Sequence, residues 1–251
     1  MKILILIIYS ENNINFSEVY KKMVNIHRFY INNFENVSTY FIQMRESQTE
    51  NVKINDDFIY VNGKETLLNI MHKTIESIDY LFNVLGCKYD YIVRTNISTM
   101  VNIPKLKEYC SGLPEKNVYT GWSILNLNWL DHNSGVMDNS LFGTEYASGT
   151  CIIISQDVAR HILNNKKNIR HDIVDDLSFG VYIKNFLPEA LENLHKCKLH
   201  NYEDVTKIYT PEKEINKNAI IFRNRIECCD NFYDRYADVY NMQKIKDAIY
   251  K

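Results

Sequence analysis

Apolar residues recur along this chain with two alternating periods. Ile3-Leu4-Ile5-Leu6-Ile7-Ile8-Tyr9 is the strongest apolar run. It falls far short of the ~20 residues that span a bilayer, and its β-branched side chains predict a buried first strand. Residues 15–34 then carry Phe16, Val19, Tyr20, Met23, Ile26, His27 and Tyr30 at three- and four-residue steps. That spacing predicts a helix, with Asn15 or Ser17 available to cap it. Strands are predicted at 39–44 and 58–61. Residues 65–84 read as an amphipathic helix, with Leu67, Leu68, Met71, Ile75, Ile78, Leu81 and Phe82 on one face.

The alternation continues. A strand over 89–94 runs into the polar turn Thr95-Asn96-Ile97-Ser98. Pro104 opens a short helix over 104–111. Strands are predicted at 118–122 and 151–155, on either side of a long polar loop at 125–145. Helices follow at 157–164 and at 173–185, the second entered through Asp175-Asp176. From about 187 onward the pattern is short strands and loops, closed by a helix near 238–250. This succession predicts one α/β domain over residues 1–251, with a Rossmann-like, mostly parallel central sheet flanked by helices and an irregular C-terminal third. Ligands of such sheets bind beyond the carboxyl ends of the strands. That gathers Ser10, the 95–98 turn and the approach to Cys151 around one cleft.

Composition narrows the function. Lys+Arg 29 against Asp+Glu 31 gives a net charge of −2, which argues against a nucleic-acid partner. Tyr is 18, and Asn and Ile are each about thirty, well above ordinary usage. These residues have AT-rich codons, so the bias points to a large DNA virus or an AT-rich protist and removes weight from any single Asn. The six cysteines have no CxxC spacing and read as reduced thiols. No small-residue cleavage site follows the first apolar run, and no other segment could span a membrane. A cytoplasmic protein is expected. Dinucleotide, phosphate-loop, nucleophile-elbow and zinc-protease motifs are all missing.

Four segments, in order, resemble one family. Asp57-Phe58-Ile59 with Asn69 and Lys73-Thr74 resembles a "D-I-I … N-L-T-x-K-T" segment. Residues 91–102, YIVRTNISTMVN, resemble "K-T-D-D-D-x-F-V-N". Residues 146–159, YASGTCIIISQDVA, resemble "Y-x-S-G-x-G-Y-V-x-S-x-D-x-A". Asp175-Asp176-Leu177-Ser178-Phe179-Gly180 resembles "E-D-V-Y-V-G". These are motifs of the GT31-type β1,3-galactosyl- and N-acetylglucosaminyltransferases, GT-A glycosyltransferases close to the fringe enzymes. The resemblance spans about residues 3–200.

It implies a GT-A-like fold and a sugar transfer, by inversion, from a UDP-sugar to a glycan or glycoprotein hydroxyl. Such a transfer needs a base for the acceptor proton and positive charge for the leaving diphosphate. Asp176 matches the family's catalytic Asp, with Asp175 as its electrostatic neighbour. Either could instead be only the cap of its helix. Ser10, Asp57, Lys73, Arg94, Thr95, Asn96 and Ser98 fall on the donor side. Tyr146, Ser148 and Gly149 fall on the acceptor side, with Trp122 as a sugar-stacking aromatic or a core residue. Lys73 reaches the donor or is a solvated helix lysine.

The departure is the acidic triplet, which the family uses to hold Mn²⁺ (or Mg²⁺) and which here is Asn96-Ile97-Ser98. Neutral side chains suit such a cation poorly. His200 is the candidate for a late metal ligand. Without a metal, Arg223 and Arg225 are the candidates to neutralise the diphosphate. The alternative is an inactive sugar- or nucleotide-binding protein on the same scaffold.

Overall fold

The computed structural model describes residues 1–10, 17–31, 33–46, 49–210, 214–229 and 232–250. Asn15 and Phe16, at the expected start of the first helix, lie outside the described residues. The elements in chain order are β1 (Ile3–Ile8), α1 (Ser17–Ile31), β2 (Val37–Arg45), β3 (Val52–Asn55), β4 (Phe58–Asn62), α2 (Ile70–Asp79), β5 (Tyr91–Asn96), β6 (Thr99–Val101) and α3 (Ile103–Ser111). Then come β7 (Tyr119–Gly121), β8 (Ile124–Asn126), β9 (Glu145–Ala147), β10 (Cys151–Ser155), α4 (Gln156–Asn164), α5 (Asp175–Phe186) and α6 (Pro188–Lys196). The remainder is β11 (Tyr202–Val205), β12 (Ile221–Asn224), β13 (Glu227–Cys229), β14 (Phe232–Tyr233) and α7 (Arg235–Tyr250).

The central sheet has the order β3-β4-β2-β1-β5-β10-β7. The β4–β2, β2–β1 and β1–β5 pairs are parallel, and β3 and β10 run against them. This is the mostly parallel, helix-flanked GT-A-like sheet that the sequence predicted. All six residues of β1 are buried, as a strand covered on both faces requires. Its alternation divides the interior. Ile3, Ile5, Ile7 and Tyr9 face one core, with α1 and α7. Leu4, Leu6 and Ile8 face the other, with α2, α4 and α5. The strand order reverses between β1 and β5, the switch point where such sheets bind ligands.

Several boundaries differ from the sequence reading. The helix expected over 65–84 is regular only from Ile70 to Asp79 and ends in a π-helical turn, Tyr80–Val84. Its first residues form a loop and turn outside the helix, where Glu65 accepts the Met44 N–H at 2.7 Å. The region after 187 contains a helix, α6, opened by Pro188 and buried through Ala190 and Leu194. The loop at 125–145 is not wholly irregular. It hangs from the β8–β9 hairpin and holds two short turns capped by Asp131 and Asp138. Leu127 and Val136 pin it to a small core made by Tyr146, Ile173, Leu177 and Val181.

Gly180 is where α5 meets β9. A Cβ there would fall 2.5 Å from the Tyr146 Cβ and 2.8 Å from the Glu145 carbonyl oxygen. Gly180→Ala is therefore expected to lower stability by about 1–3 kcal/mol through overpacking. Urea unfolding measures this, and an unchanged midpoint would mean that α5 shifts freely on β9.

Candidate active site

Pleating puts Arg94 and Thr95 on opposite faces of β5. Thr95 is buried on one face, and its hydroxyl donates to the Thr150 carbonyl at 2.8 Å. Arg94 points to the α2–α5 face, where its guanidinium meets the Asp175 carboxylate at 2.6 Å. Both side chains are 5% exposed. A second buried pair lies near the first. Lys73 of α2 donates to Glu65 at 2.5 Å and to the Tyr9 carbonyl, at the end of β1, at 2.8 Å. Lys73 is fully buried, so it is not a solvated helix lysine. Burial pushes its pKa down, and Glu65 opposes that shift. Glu65 has no local signal in the sequence, because it precedes the helix that carries Lys73. The two pairs tie the carboxyl ends of β1, β2 and β5 to α2 and α5.

Asp176 is the next residue on α5. One carboxylate oxygen accepts the Gly149 N–H at 2.9 Å, and the other accepts the Leu177 N–H at 2.9 Å. The cap position itself is Val174, which has no side-chain cap bond. Asp176 thus serves the first turn of the helix and also faces the 148–150 segment. Burial, and then the charge of Asp175, push its carboxyl up to about 6, against the two N–H donors and Arg94. A Cβ at Gly149 would lie 3.0 Å from Arg94 Nη1 and 3.2 Å from Asp176 Oδ2. Only glycine lets the two side chains close over that backbone without a shift. Tyr146 lies beside Asp176 and is buried, and its hydroxyl is hydrogen-bonded to the Trp129 side chain. Ser148 is half-buried in the same segment, and its N–H donates to the Ser123 carbonyl at 2.7 Å. Of the residues expected on the acceptor side, Gly149 bonds to Asp176 and Tyr146 lies beside it.

The 96–98 turn follows directly from β5. Asn96 Oδ1 accepts from Arg94 Nη1 at 3.0 Å. The Ser98 carbonyl accepts two bonds from Asn224, at 3.0 and 3.1 Å. His27, fully buried, holds the Ile97 carbonyl at 2.8 Å and is hydrogen-bonded to Tyr30 through its other ring nitrogen. The turn is rigidly held, but its side chains do not fit a divalent cation. The donors are a neutral amide already engaged by a guanidinium and a neutral hydroxyl. Among the described residues, no group of three His, Cys, Asp or Glu side chains could hold a metal. His200 is exposed and precedes β11. In the small sheet β12 lies between β11 and β6, with Tyr202 against Ile221 and Ile221 against Val101, so His200 precedes the end of the sheet away from Ser98. The structure does not bring His200 to the turn.

Other sequence candidates sit elsewhere. Asp57 makes a two-pronged ion pair with Arg28 of α1, at 2.7 and 2.8 Å. It lines a cavity of about 360 Å³ with Tyr9, Phe58 and Tyr60, apart from the Arg94–Asp175 pair. Ser10 is half-buried just beyond Tyr9. Arg225 is committed to Asp204 at 2.8 and 2.5 Å. Arg223 lies over the ring of Trp122 at 5.0 Å, and that ring is buried edge-on to Tyr202. Trp122 therefore packs in the interior beside the small β11-β12-β6 sheet rather than offering a face to a sugar.

The model of the family described as Galactosyltransferase matches residues 38–188, a span that holds Lys73, Arg94, Gly149 and Asp176. The chain belongs to this Galactosyltransferase family. A curated relative of this Galactosyltransferase-family chain is the UDP-GalNAc:beta-1,3-N-acetylgalactosaminyltransferase 2 of Xenopus tropicalis. The two are 19% identical over 143 residues, which is 55% of this chain and 29% of the relative. The chain thus spans under a third of that protein. A solved structure, a glycosyltransferase involved in the glycosylation of the major capsid of PBCV-1, aligns over 97% of this chain and 100% of its own, with 11% identity and a TM-score of 0.40. No helix among the described residues is long and apolar enough to cross a membrane.

Proposed function

We propose that the chain is a glycosyltransferase. It moves a sugar from a UDP-sugar to a hydroxyl of a glycan or glycoprotein, with inversion and without a divalent cation. Family membership supports the reaction class. The observation that carries the mechanism is the Asp176 carboxylate, held on the Gly149 N–H beside Tyr146, where burial and then Asp175 raise its affinity for a proton. As the acceptor oxygen attacks the anomeric carbon, its O–H proton passes to Asp176. The carbon–oxygen bond to the diphosphate breaks on the opposite face, and UDP leaves with the electron pair. A single displacement of this kind inverts the anomeric centre. Arg223, in register with Thr99 just past the turn, is the cation we assign to the diphosphate. The cavity at Tyr9, Asp57 and Tyr60 we assign to the nucleoside.

Thermal unfolding with UDP, with Mn²⁺ or with EDTA, tests the donor and the metal together. UDP at about 100 times its Kd is expected to add about 2.7 kcal/mol, equally in either condition. A shift that needs Mn²⁺ would overturn metal independence, and no shift would overturn the UDP donor. The neutral 96–98 turn favours a second reading, binding without turnover. UDP release from UDP-galactose, UDP-N-acetylglucosamine or UDP-N-acetylgalactosamine, with nitrophenyl glycosides as acceptors, separates the two.

A further inference from the structure

Helix α5 opens with two carboxylates in a row, and nothing local distinguishes them. We propose that Arg94 is the positioning residue that decides which of them takes the acceptor's proton. This rests on Asp176 being the base. The guanidinium is a fork with both prongs in use: one nitrogen lies 2.6 Å from Asp175 Oδ2, and the other donates to Asn96 Oδ1 at 3.0 Å. Held at two points, it holds Asp175 as the ion-pair partner of β5. Asp176 faces Gly149 instead, where its acceptors are served by two backbone N–H groups and, among the described residues, by no ion pair. One carboxylate is therefore committed to a cation, and the other is left to exchange a proton. A point charge such as lysine could pair with Asp175 but could not hold Asn96 in the same fixed plane.

The charged and titratable groups around Asp176 bear this out. Asp175 raises its proton affinity from the same helix, and Arg94 lowers it from β5. Tyr119 of β7 and Tyr146 of β9 also face it. Burial pushes both phenols well up, so both are neutral. Lys73 approaches Asp175 and Arg94 from α2, but Glu65 already holds it. Arg94 is thus the group whose removal changes the balance between the two carboxyls.

The test follows the carboxyl directly, by ¹³C NMR of aspartate-labelled protein across pH, alongside UDP release. In the wild type one carboxyl is expected to titrate near 6 and to vanish in Asp176→Asn. Arg94→Gln should raise that midpoint by about one pH unit or more, and the acid limb of transfer should move with it. Arg94→Lys, which keeps the charge, should hold the wild-type midpoint while losing part of kcat. If Arg94→Gln does not fold, the pair without Asp175 gives the same answer. Arg94→Gln in an Asp175→Asn background should titrate above Asp175→Asn alone. An unmoved midpoint in both backgrounds, with only a lower melting temperature, would reduce Arg94 to a structural role. Full transfer by Asp176→Asn would instead overturn the base assignment itself.

Discussion

Asp176→Asn is expected to lower sugar transfer about 100- to 10,000-fold, the usual worth of a positioned general base. The same change should leave the fold intact. An asparagine can still accept one of the two N–H bonds, from Gly149 or from Leu177. Stability gives a second readout with a definite sign. The carboxyl titrates at about 6 in the folded chain, against about 3.9 when unfolded. Between those values the folded state binds the extra proton, so wild-type stability is greatest below the unfolded value and falls as pH rises through 6. The ionised side chain then costs up to about 2–3 kcal/mol, which the asparagine variant escapes. At pH 8 the variant should be at least as stable as the wild type, and at pH 4 the advantage should be gone. Denaturant melts at the two pH values, beside UDP release, check both halves. A variant that still transfers at full rate would remove Asp176 from the chemistry.

Lys73→Ala should be among the most destabilising single changes, at about 3–5 kcal/mol, because it strands a buried partner charge. Lys73 is fully buried and Glu65 is 7% exposed, so water cannot rescue Glu65. The Tyr9 carbonyl would also lose its donor. Replacing both, as Lys73→Met with Glu65→Leu, should recover most of the loss, since an apolar pair of similar volume avoids the desolvation. Urea unfolding of the two single variants and the double variant forms the cycle. A loss below about 1 kcal/mol for Lys73→Ala would mean that the pocket opens to water, contrary to its geometry.

Elements governed by short-range periodicity were legible from the residues alone. The isoleucine run of β1, the three- and four-step pattern of α1 and the Ser155-to-Leu163 transition from strand to helix all appear where the pattern put them. Helix α6 was equally readable, since Pro188 opens it and Leu187, Ala190, Leu191 and Leu194 share a face, but the sequence reading passed over it. The 65–84 segment failed for a different reason. Its apolar stripe is real, yet Glu65 is drawn out of the helix by the Met44 N–H and by Lys73.

The candidate site residues divide in the same way. The order of segments placed Asp176 at the start of a helix and Gly149 before a buried strand, and the structure brings those two to 2.9 Å. The order did not reveal that Arg94 serves Asp175, that Lys73 serves Glu65, or that Asp57 pairs with Arg28. By itself, then, the sequence determined the class of fold and the family, and it offered a candidate base. Those follow from local periodicity and short motifs, which need no knowledge of what packs where. Only the tertiary structure decided the partners of the buried charges and excluded His200 from the turn. Ion pairs between distant segments arise when a helix docks on a strand, and no spacing along the chain encodes which side chain it will meet.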